Sequence, residues 1–138
     1  MANQFIPYGR QHITQTDIDA VVAVLQSDFL TQGIQVPAFE ERVAAYTGAK
    51  FGVAVNSATS ALHIACLALG LGQGEKGKDD WLWTTPITFT ASANCGLYCG
   101  ANIDFVDIDP LTLNMSINAL EEKLQLADAE NRLPKIVI

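Results

Sequence analysis

Val53-Ala54-Val55-Asn56-Ser57-Ala58-Thr59-Ser60-Ala61-Leu62-His63-Ile64-Ala65-Cys66-Leu67-Ala68-Leu69-Gly70 reads as a short apolar strand, a tight polar turn and an amphipathic helix. Leu62, Ala65, Cys66 and Leu69 recur at helical spacing, and Gly70 suits the helix end. The first turn of any helix leaves backbone N–H groups without partners, and the positive end of the helix dipole lies there. A turn of small residues and hydroxyls at that point can therefore seat a phosphate. It can equally be an ordinary capped helix, because Ser and Thr satisfy the same N–H groups. The sequence has neither a G-x-G-x-x-G nor a Walker A pattern, which excludes the familiar dinucleotide and P-loop phosphate sites.

Working outward toward the N-terminus, residues 1–15 look irregular and are read as an arm, with residues 16–138 as one domain. Thr16 reads as an N-cap with Asp17 and Asp19 in the first turn, and Ile18, Val21, Val22 and Leu25 as one apolar stripe. The helix is expected to run to about Ser27. A loop follows, Phe29-Leu30-Thr31-Gln32-Gly33, in which Gly33 supplies a permissive backbone position. Pro37 suits the first turn of a second helix, with Val36, Phe39, Val43 and Tyr46 as its buried face and Gly48 at its end. Phe51 to Val55 is then the first expected strand.

Working outward the other way, Trp81-Leu82-Trp83-Thr84-Thr85 reads as a strand stopped by Pro86. A small-residue helix from Thr90 to about Cys99 follows, and Gly96 within it marks the close approach of another element. Ile103 to Asp107 is a further strand. Ser116 caps a helix running to about Ala127, with Ile117, Leu120 and Leu124 inward, and a last strand begins near Lys135. Strands alternating with helices imply an α/β fold in three layers, α/β/α, with a mostly parallel sheet and right-handed crossovers. Ligands gather beyond the carboxyl ends of such strands. The loops Asn56–Thr59 and Pro86–Phe89 both lie at such ends.

Apolar residues make up 49% and charged residues 17% of the 138, which suits a packed domain and excludes a disordered chain. The net charge is −7 and the eight Lys and Arg are scattered, so neither nucleic acid nor a membrane surface is an expected partner. No apolar run approaches the ~20 residues that span a bilayer. Cys66, Cys95 and Cys99 are odd in number and no secretory leader precedes them, so a reducing cytoplasm is expected. The chain stops inside the apolar run Ile136-Val137-Ile138, from which we expect truncation within a strand.

Few residues point to chemistry by themselves. Phe89 follows a strand end and can stack on a planar ring or fill a core. Tyr8 and Arg10 can reach a ligand or pack on the surface. His12 and His63 lie far apart, and His63 reads as a packing residue. Cys95 and Cys99, four apart on one helix, lack the His or carboxylate spacing of a metal site. Asp104, Asp107 and Asp109 read as turn and solvated residues.

Taken together, several stretches resemble a known family. They are Leu30-Thr31-Gln32-Gly33, Phe39-Glu40, Tyr46-Thr47-Gly48-Ala49-Lys50, Asn56 to Gly70, Thr85-Pro86-Ile87-Thr88-Phe89-Thr90-Ala91-Ser92-Ala93-Asn94, Gly100-Ala101 and Phe105-Val106-Asp107-Ile108-Asp109-Pro110. In order and spacing they resemble the N-terminal third of the DegT/DnrJ/EryC1/StrS nucleotide-sugar aminotransferases, the pseudaminic-acid branch above all. The resemblance implies the large domain of a type I, aspartate aminotransferase-like fold and the cofactor pyridoxal 5'-phosphate (PLP). It implies a UDP-linked 4-keto-6-deoxy-N-acetyl amino sugar aminated at C4, glutamate as donor, and a homodimer.

Carried over by position, Ala58, Thr59 and Ser60 match residues that hold the PLP phosphate, and Phe89 matches the aromatic on its ring. Ala58 stands where many members have Gly. Tyr8, Thr31, Gln32 and Gly33 fall in positions near the sugar or the partner subunit. The Schiff-base Lys and the Asp that faces the pyridine nitrogen would lie beyond Ile138, so no catalytic residue is assigned and the chain alone is expected to be inactive. Lys50, Lys76, Lys78, Lys123 and Lys135 do not match the context of that Lys. Two other readings stay open: a PLP-dependent sugar dehydratase of the same family, with His in place of the Lys, and a non-catalytic fragment that binds a sugar nucleotide.

Overall fold

The computed structural model describes residues 7, 9–74, 77 and 79–138. The chain packs as two compact units, Met1–Ala54 and Val55–Ile138.

The first unit holds α1 (Gln15–Leu25) and α2 (Gln35–Thr47). The N-cap of α1 is Thr14, two residues earlier than expected. The cause is Asp17, whose carboxylate accepts hydrogen bonds from the Thr14 amide and hydroxyl, each at 2.7 Å. These bonds also hold the Asp17 carboxyl below its usual range. α2 ends on Gly48 at φ 74°, a left-handed position that favours glycine.

The stripes expected to be buried on these helices are not. Ile18, Val21, Val22 and Leu25 of α1 and Val36, Phe39, Val43 and Tyr46 of α2 are all exposed, Tyr46 at 94%. Periodicity marks a face that can be buried; it does not supply a surface to bury it, and among the described residues of this unit only Ala44 is buried. Gly33 is not the left-handed residue of its loop either. That conformation falls on Gln32, at φ 57°, while Gly33 leaves room for the Phe29 carbonyl, which a Cβ would meet at 3.1 Å.

Phe51 to Val55 forms no strand. A strand exists only through pairing, and this segment has no partner strand among the described residues. Instead the Ala54 amide donates to Glu40 Oε1 at 2.8 Å. Gly52 lies so close to α2 that a Cβ would stand 2.6 Å from the Glu40 carbonyl oxygen.

The second unit is a parallel sheet clothed by helices. β1 (Trp81–Thr84) lies between β2 (Asn102–Phe105) and β3 (Ile136–Val137), all parallel. Three helices, α3 (Ala58–Ala68), α4 (Ala91–Tyr98) and α5 (Ile117–Ala129), complete the unit. Successive residues of a strand face opposite sides. Leu82 accordingly packs with Cys66 of α3 and Cys95 of α4, whereas Trp83 packs with Val106 and with Ala127 of α5. Two cores on opposite faces make the three layers, as the alternating pattern implied. Gly96 marks the close approach expected of it: a Cβ there would lie 2.5 Å from Ile103 Cδ1 and 3.1 Å from Leu82 Cβ. Two helix faces are narrower than expected. Ile117, the first residue of α5, and Leu69, the C-cap of α3, are 79% and 63% exposed, and Ala65 of α3 is exposed as well, while Leu120 and Leu124 pack inward as expected.

Trp83 is 2% exposed and its Nε1 has no hydrogen-bond partner among the described residues. The Lys123 ammonium stands 5.0 Å from its ring centroid and also pairs with Asp104 at 2.8 Å. Trp83→Phe keeps the ring face and removes a buried donor that has nothing to bond. It should therefore cost less than about 1.5 kcal/mol in urea unfolding, against about 3–5 kcal/mol for Trp83→Ala.

Lys135 ties the ends of the unit together. Its Nζ donates to the Gly70 carbonyl at 2.7 Å and to Asp80 Oδ2 at 3.0 Å, and the Gly72 amide donates to the same Asp80 oxygen at 2.9 Å. Burial pushes the Asp80 carboxyl up, but the Gly72 amide and the Lys135 ammonium outweigh it and hold the pKa below the usual value. The unfolded value is about 3.9. The stabilisation is thus present above about pH 4 and is lost as pH falls through the lower folded value. Lys135→Met should destabilise the unit by about 1 kcal/mol at pH 7, the pair being partly exposed. In pH-dependent unfolding the gap from the parent should close in acid as Asp80 takes up its proton.

Candidate functional site

The turn before α3 is built by its own side chains. Ser57 is the N-cap, in extended conformation, and its Oγ accepts from the Ser60 amide at 3.1 Å. Its carbonyl accepts from the Ala61 amide at 3.0 Å. The Ser57 hydroxyl donates to Ser60 Oγ at 3.1 Å, and the Ser60 hydroxyl donates to Asn56 Oδ1 at 2.7 Å. The amides of Ala58 and Thr59 have no acceptor among the described residues. Two N–H groups without an acceptor among the described residues, on a turn that also carries Thr59 and Ser60, are the kind of group with which a helix start can meet an anion. Ala58 is exposed and Thr59 and Ser60 are half-buried, so the turn is open to solvent.

Phe89 lies at the entry to α4, just before its N-cap Thr90, and its carbonyl accepts from the Ser92 amide at 2.9 Å. Its ring is 65% exposed and so is free to stack rather than committed to the core. α3 and α4 pack against each other, yet among the described residues no hydrogen bond joins Phe89 to the 58–60 turn. Crevices of about 350 and 400 Å³ in this unit lie elsewhere, one beside Trp83 and Lys123 and the other beside Asp109 and Ser116.

The remaining expected site residues belong to the first unit. Thr31 and Gln32 are exposed, and Gly33 is half-buried, in the loop between α1 and α2. Tyr8 lies outside the described residues, as do Lys76 and Lys78.

Asn56 and Ser57 are the residues that reading by position passed over. Ser57 holds the helix start and Asn56 takes the Ser60 proton. The signal was there: an Asn-Ser pair followed three residues on by a second Ser is the pattern of a side chain reaching back to a helix start. The other candidates resolve simply. His63 meets Tyr98 edge-on at 5.3 Å between ring centroids, a packing contact. Asp109 accepts from the Thr112 and Leu111 amides at 2.9 and 2.8 Å, which lowers its pKa and makes it a turn residue. No group of three or more metal-ligating side chains occurs among the described residues. No helix there is long and apolar enough to cross a membrane.

With this geometry in hand, comparison with known proteins gives a consistent result. Residues 11–128 match the DegT/DnrJ/EryC1/StrS aminotransferase family. The UDP-4-amino-4,6-dideoxy-N-acetyl-beta-L-altrosamine transaminase of Campylobacter jejuni subsp. jejuni serotype O:23/36 (strain 81-176) is 46% identical over 103 residues, which cover 75% of this chain and 26% of that protein. Among solved structures, Helicobacter pylori PseC, an aminotransferase involved in the biosynthesis of pseudoaminic acid, superposes with a TM-score of 0.78 at 31% identity. The match covers 95% of this chain and 33% of that one. Spr1654 of Streptococcus pneumoniae, a sugar-aminotransferase candidate solved in its PLP form, gives 0.75 at 33% identity, covering 85% and 29%. The chain therefore spans about a third or less of the length of these relatives.

Proposed function

Because the chain belongs to the DegT/DnrJ/EryC1/StrS aminotransferase family, we propose that its second unit supplies the phosphate-and-ring wall of a PLP site in a nucleotide-sugar aminotransferase. The reaction moves an amino group from glutamate to C4 of a UDP-linked 4-keto-6-deoxy-N-acetyl amino sugar. The observation that carries this reading is the start of α3, where the Ala58 and Thr59 amides have no acceptor among the described residues and the turn carries Thr59 and Ser60.

The residues present fit the cofactor's two ends. The Ala58 and Thr59 amides, the Thr59 and Ser60 hydroxyls and the dipole of α3 would hold its phosphate. The exposed aromatic Phe89 would cover its pyridine ring. When bound, PLP supplies an electron sink for the carbanion formed as the amino group moves. The residues of this chain anchor and orient it. The Ser60 hydroxyl now donates to Asn56 Oδ1, so to serve a phosphate it must turn that proton outward, with Asn56 as the group it leaves. Phe89 excludes water from one face of the ring. Tyr8, Thr31, Gln32 and Gly33 serve the sugar or the partner subunit of a homodimer. The enzyme acts in the cytoplasm, in surface-glycan or pseudaminic acid biosynthesis, and the 138-residue chain has no turnover by itself.

The test uses the full-length protein. On mixing with PLP, a visible absorbance band of bound cofactor should appear, and glutamate should then shift it. Absence of the band, or a band that glutamate leaves unchanged, overturns the reading.

A further inference from the structure

Three side chains at the start of α3 form a one-way relay. The Ser57 hydroxyl donates to Ser60 Oγ at 3.1 Å, and the Ser60 hydroxyl donates to Asn56 Oδ1 at 2.7 Å. The relay ends there, because an amide oxygen only accepts. The Ser60 amide donates to Ser57 Oγ at 3.1 Å, which holds the two serines together whichever way their hydroxyl protons point. Asn56 Nδ2 has no acceptor among the described residues, and the Asn56 side chain is exposed.

An Asn side chain carries its acceptor and its donor on the same carbon. Half a turn about the Cβ–Cγ bond puts Nδ2 where Oδ1 stood, within reach of Ser60 Oγ. That turn breaks no bond made by Nδ2, and it sweeps through solvent rather than a packed core. A hydroxyl has one proton to give and two lone pairs that accept. As the relay stands, the Ser60 proton is spent on Asn56 and one lone pair takes the Ser57 proton. With Asn56 turned, both lone pairs are filled, from Ser57 and from Asn56, and the Ser60 proton is free to leave the turn.

We propose that Asn56 is a positioning residue whose amide turns over as phosphate arrives, from acceptor of the Ser60 proton to donor to the Ser60 oxygen. This rests on the reading of the α3 start as the place of the PLP phosphate. Asn56 gives up the proton and keeps the contact. Two donors on the Ser60 oxygen polarise its O–H toward the anion, so the reversed relay strengthens the bond that Ser60 makes outward. Only hydrogen bonds are exchanged; no proton is transferred.

The test titrates the cofactor-free, full-length protein with PLP and compares Asn56→Ala, Ser60→Ala and the double variant. Asn56→Ala should bind PLP roughly fivefold more weakly, the worth of one neutral hydrogen bond. In the Ser60→Ala background the same change should have no further effect, because Asn56 acts through Ser60. In NMR spectra of the unsubstituted protein, isotope-labelled at asparagine, the Asn56 side-chain amide signal should move when PLP binds, and it should stay in place in Ser60→Ala. Unchanged or tighter binding by Asn56→Ala would make Asn56 a competitor for the Ser60 proton and overturn the proposal. An equal loss in the Ser60→Ala background would do the same, as would an unmoved Asn56 signal in the unsubstituted protein with PLP bound. That signal decides even if Asn56→Ala folds poorly. Failure of the cofactor reading is seen separately: the unsubstituted protein would then show no absorbance of bound PLP, and the proposal would fall with it.

Discussion

Gly72→Ala is expected to unfold the second unit, at a cost above about 4 kcal/mol. Two effects act together. Gly72 sits at φ +71°, where an L-residue is strained by about 1–2 kcal/mol. A Cβ there would also stand 1.7 Å from the Cys99 carbonyl oxygen and 2.7 Å from its carbonyl carbon, so a side-chain rotation cannot relieve the clash. Backbone has to move at the end of α4, next to a core in which Leu71 and Cys95 are fully buried. The Gly72 amide also gives Asp80 one of its bonds. The control is Gly74→Ala. Gly74 has nearly the same φ, +73°, but among the described residues nothing lies within 4 Å of its Cβ position, so it should lose only the strain of about 1–2 kcal/mol. Circular dichroism and urea unfolding of both variants read the difference. Equal costs would show that the loop does not press on Cys99.

The second large effect is on the cofactor. In the full-length protein, Thr59→Ala with Ser60→Ala should weaken PLP binding roughly 10²–10⁴-fold, from two hydrogen bonds to a charged group at about 1.5–3 kcal/mol each. Titration of the cofactor-free protein with PLP measures this. The single variants separate roles. Thr59→Ala would remove one donor proposed to reach the phosphate and leave the hydrogen bonds of the turn intact. Ser60→Ala also breaks the bond to Asn56 and the one from Ser57, so it should lower thermal stability as well as affinity. The amides of Ala58 and Thr59 survive every one of these changes, which is why binding is weakened and not abolished. An unchanged affinity in the double variant would remove the phosphate seat from the α3 turn.

The alternation of elements was readable because local signals agree along the second unit. Pro86 stops a β-branched and aromatic run, Ser116 caps a helix, and Gly96 thins the helix that must lie closest to the sheet. Phe51–Val55 misled for a physical reason: an apolar run states that a strand can form, and only a partner makes one. The same holds for Tyr46 and Val36, whose spacing declares a face but not what covers it. At the candidate site the hydroxyl-rich turn and the start of α3 were legible, since a capped helix start is a local feature. The Ser60–Asn56 bond was not, because a hydroxyl's choice among acceptors depends on rotamers. The structural roles of Lys123 and Lys135 were not legible, for a third reason. Their partners, Trp83 and Asp104 for one, Gly70 and Asp80 for the other, are distant in sequence and carry no periodic trace.

The order of the strands, β2-β1-β3, has a kinetic consequence. The middle strand is the first of the three in the chain, so it waits for both neighbours. β1 and β2 are joined by α4 alone and can pair early. β3 must return across the sheet after α5, and the Lys135–Gly70 bond closes over 65 residues. Contacts of such sequence separation form late, after the loop entropy has been lost. The Lys135 anchor therefore belongs to the last step of assembly. Lys135→Met should speed unfolding in stopped-flow measurements and leave the refolding rate nearly unchanged.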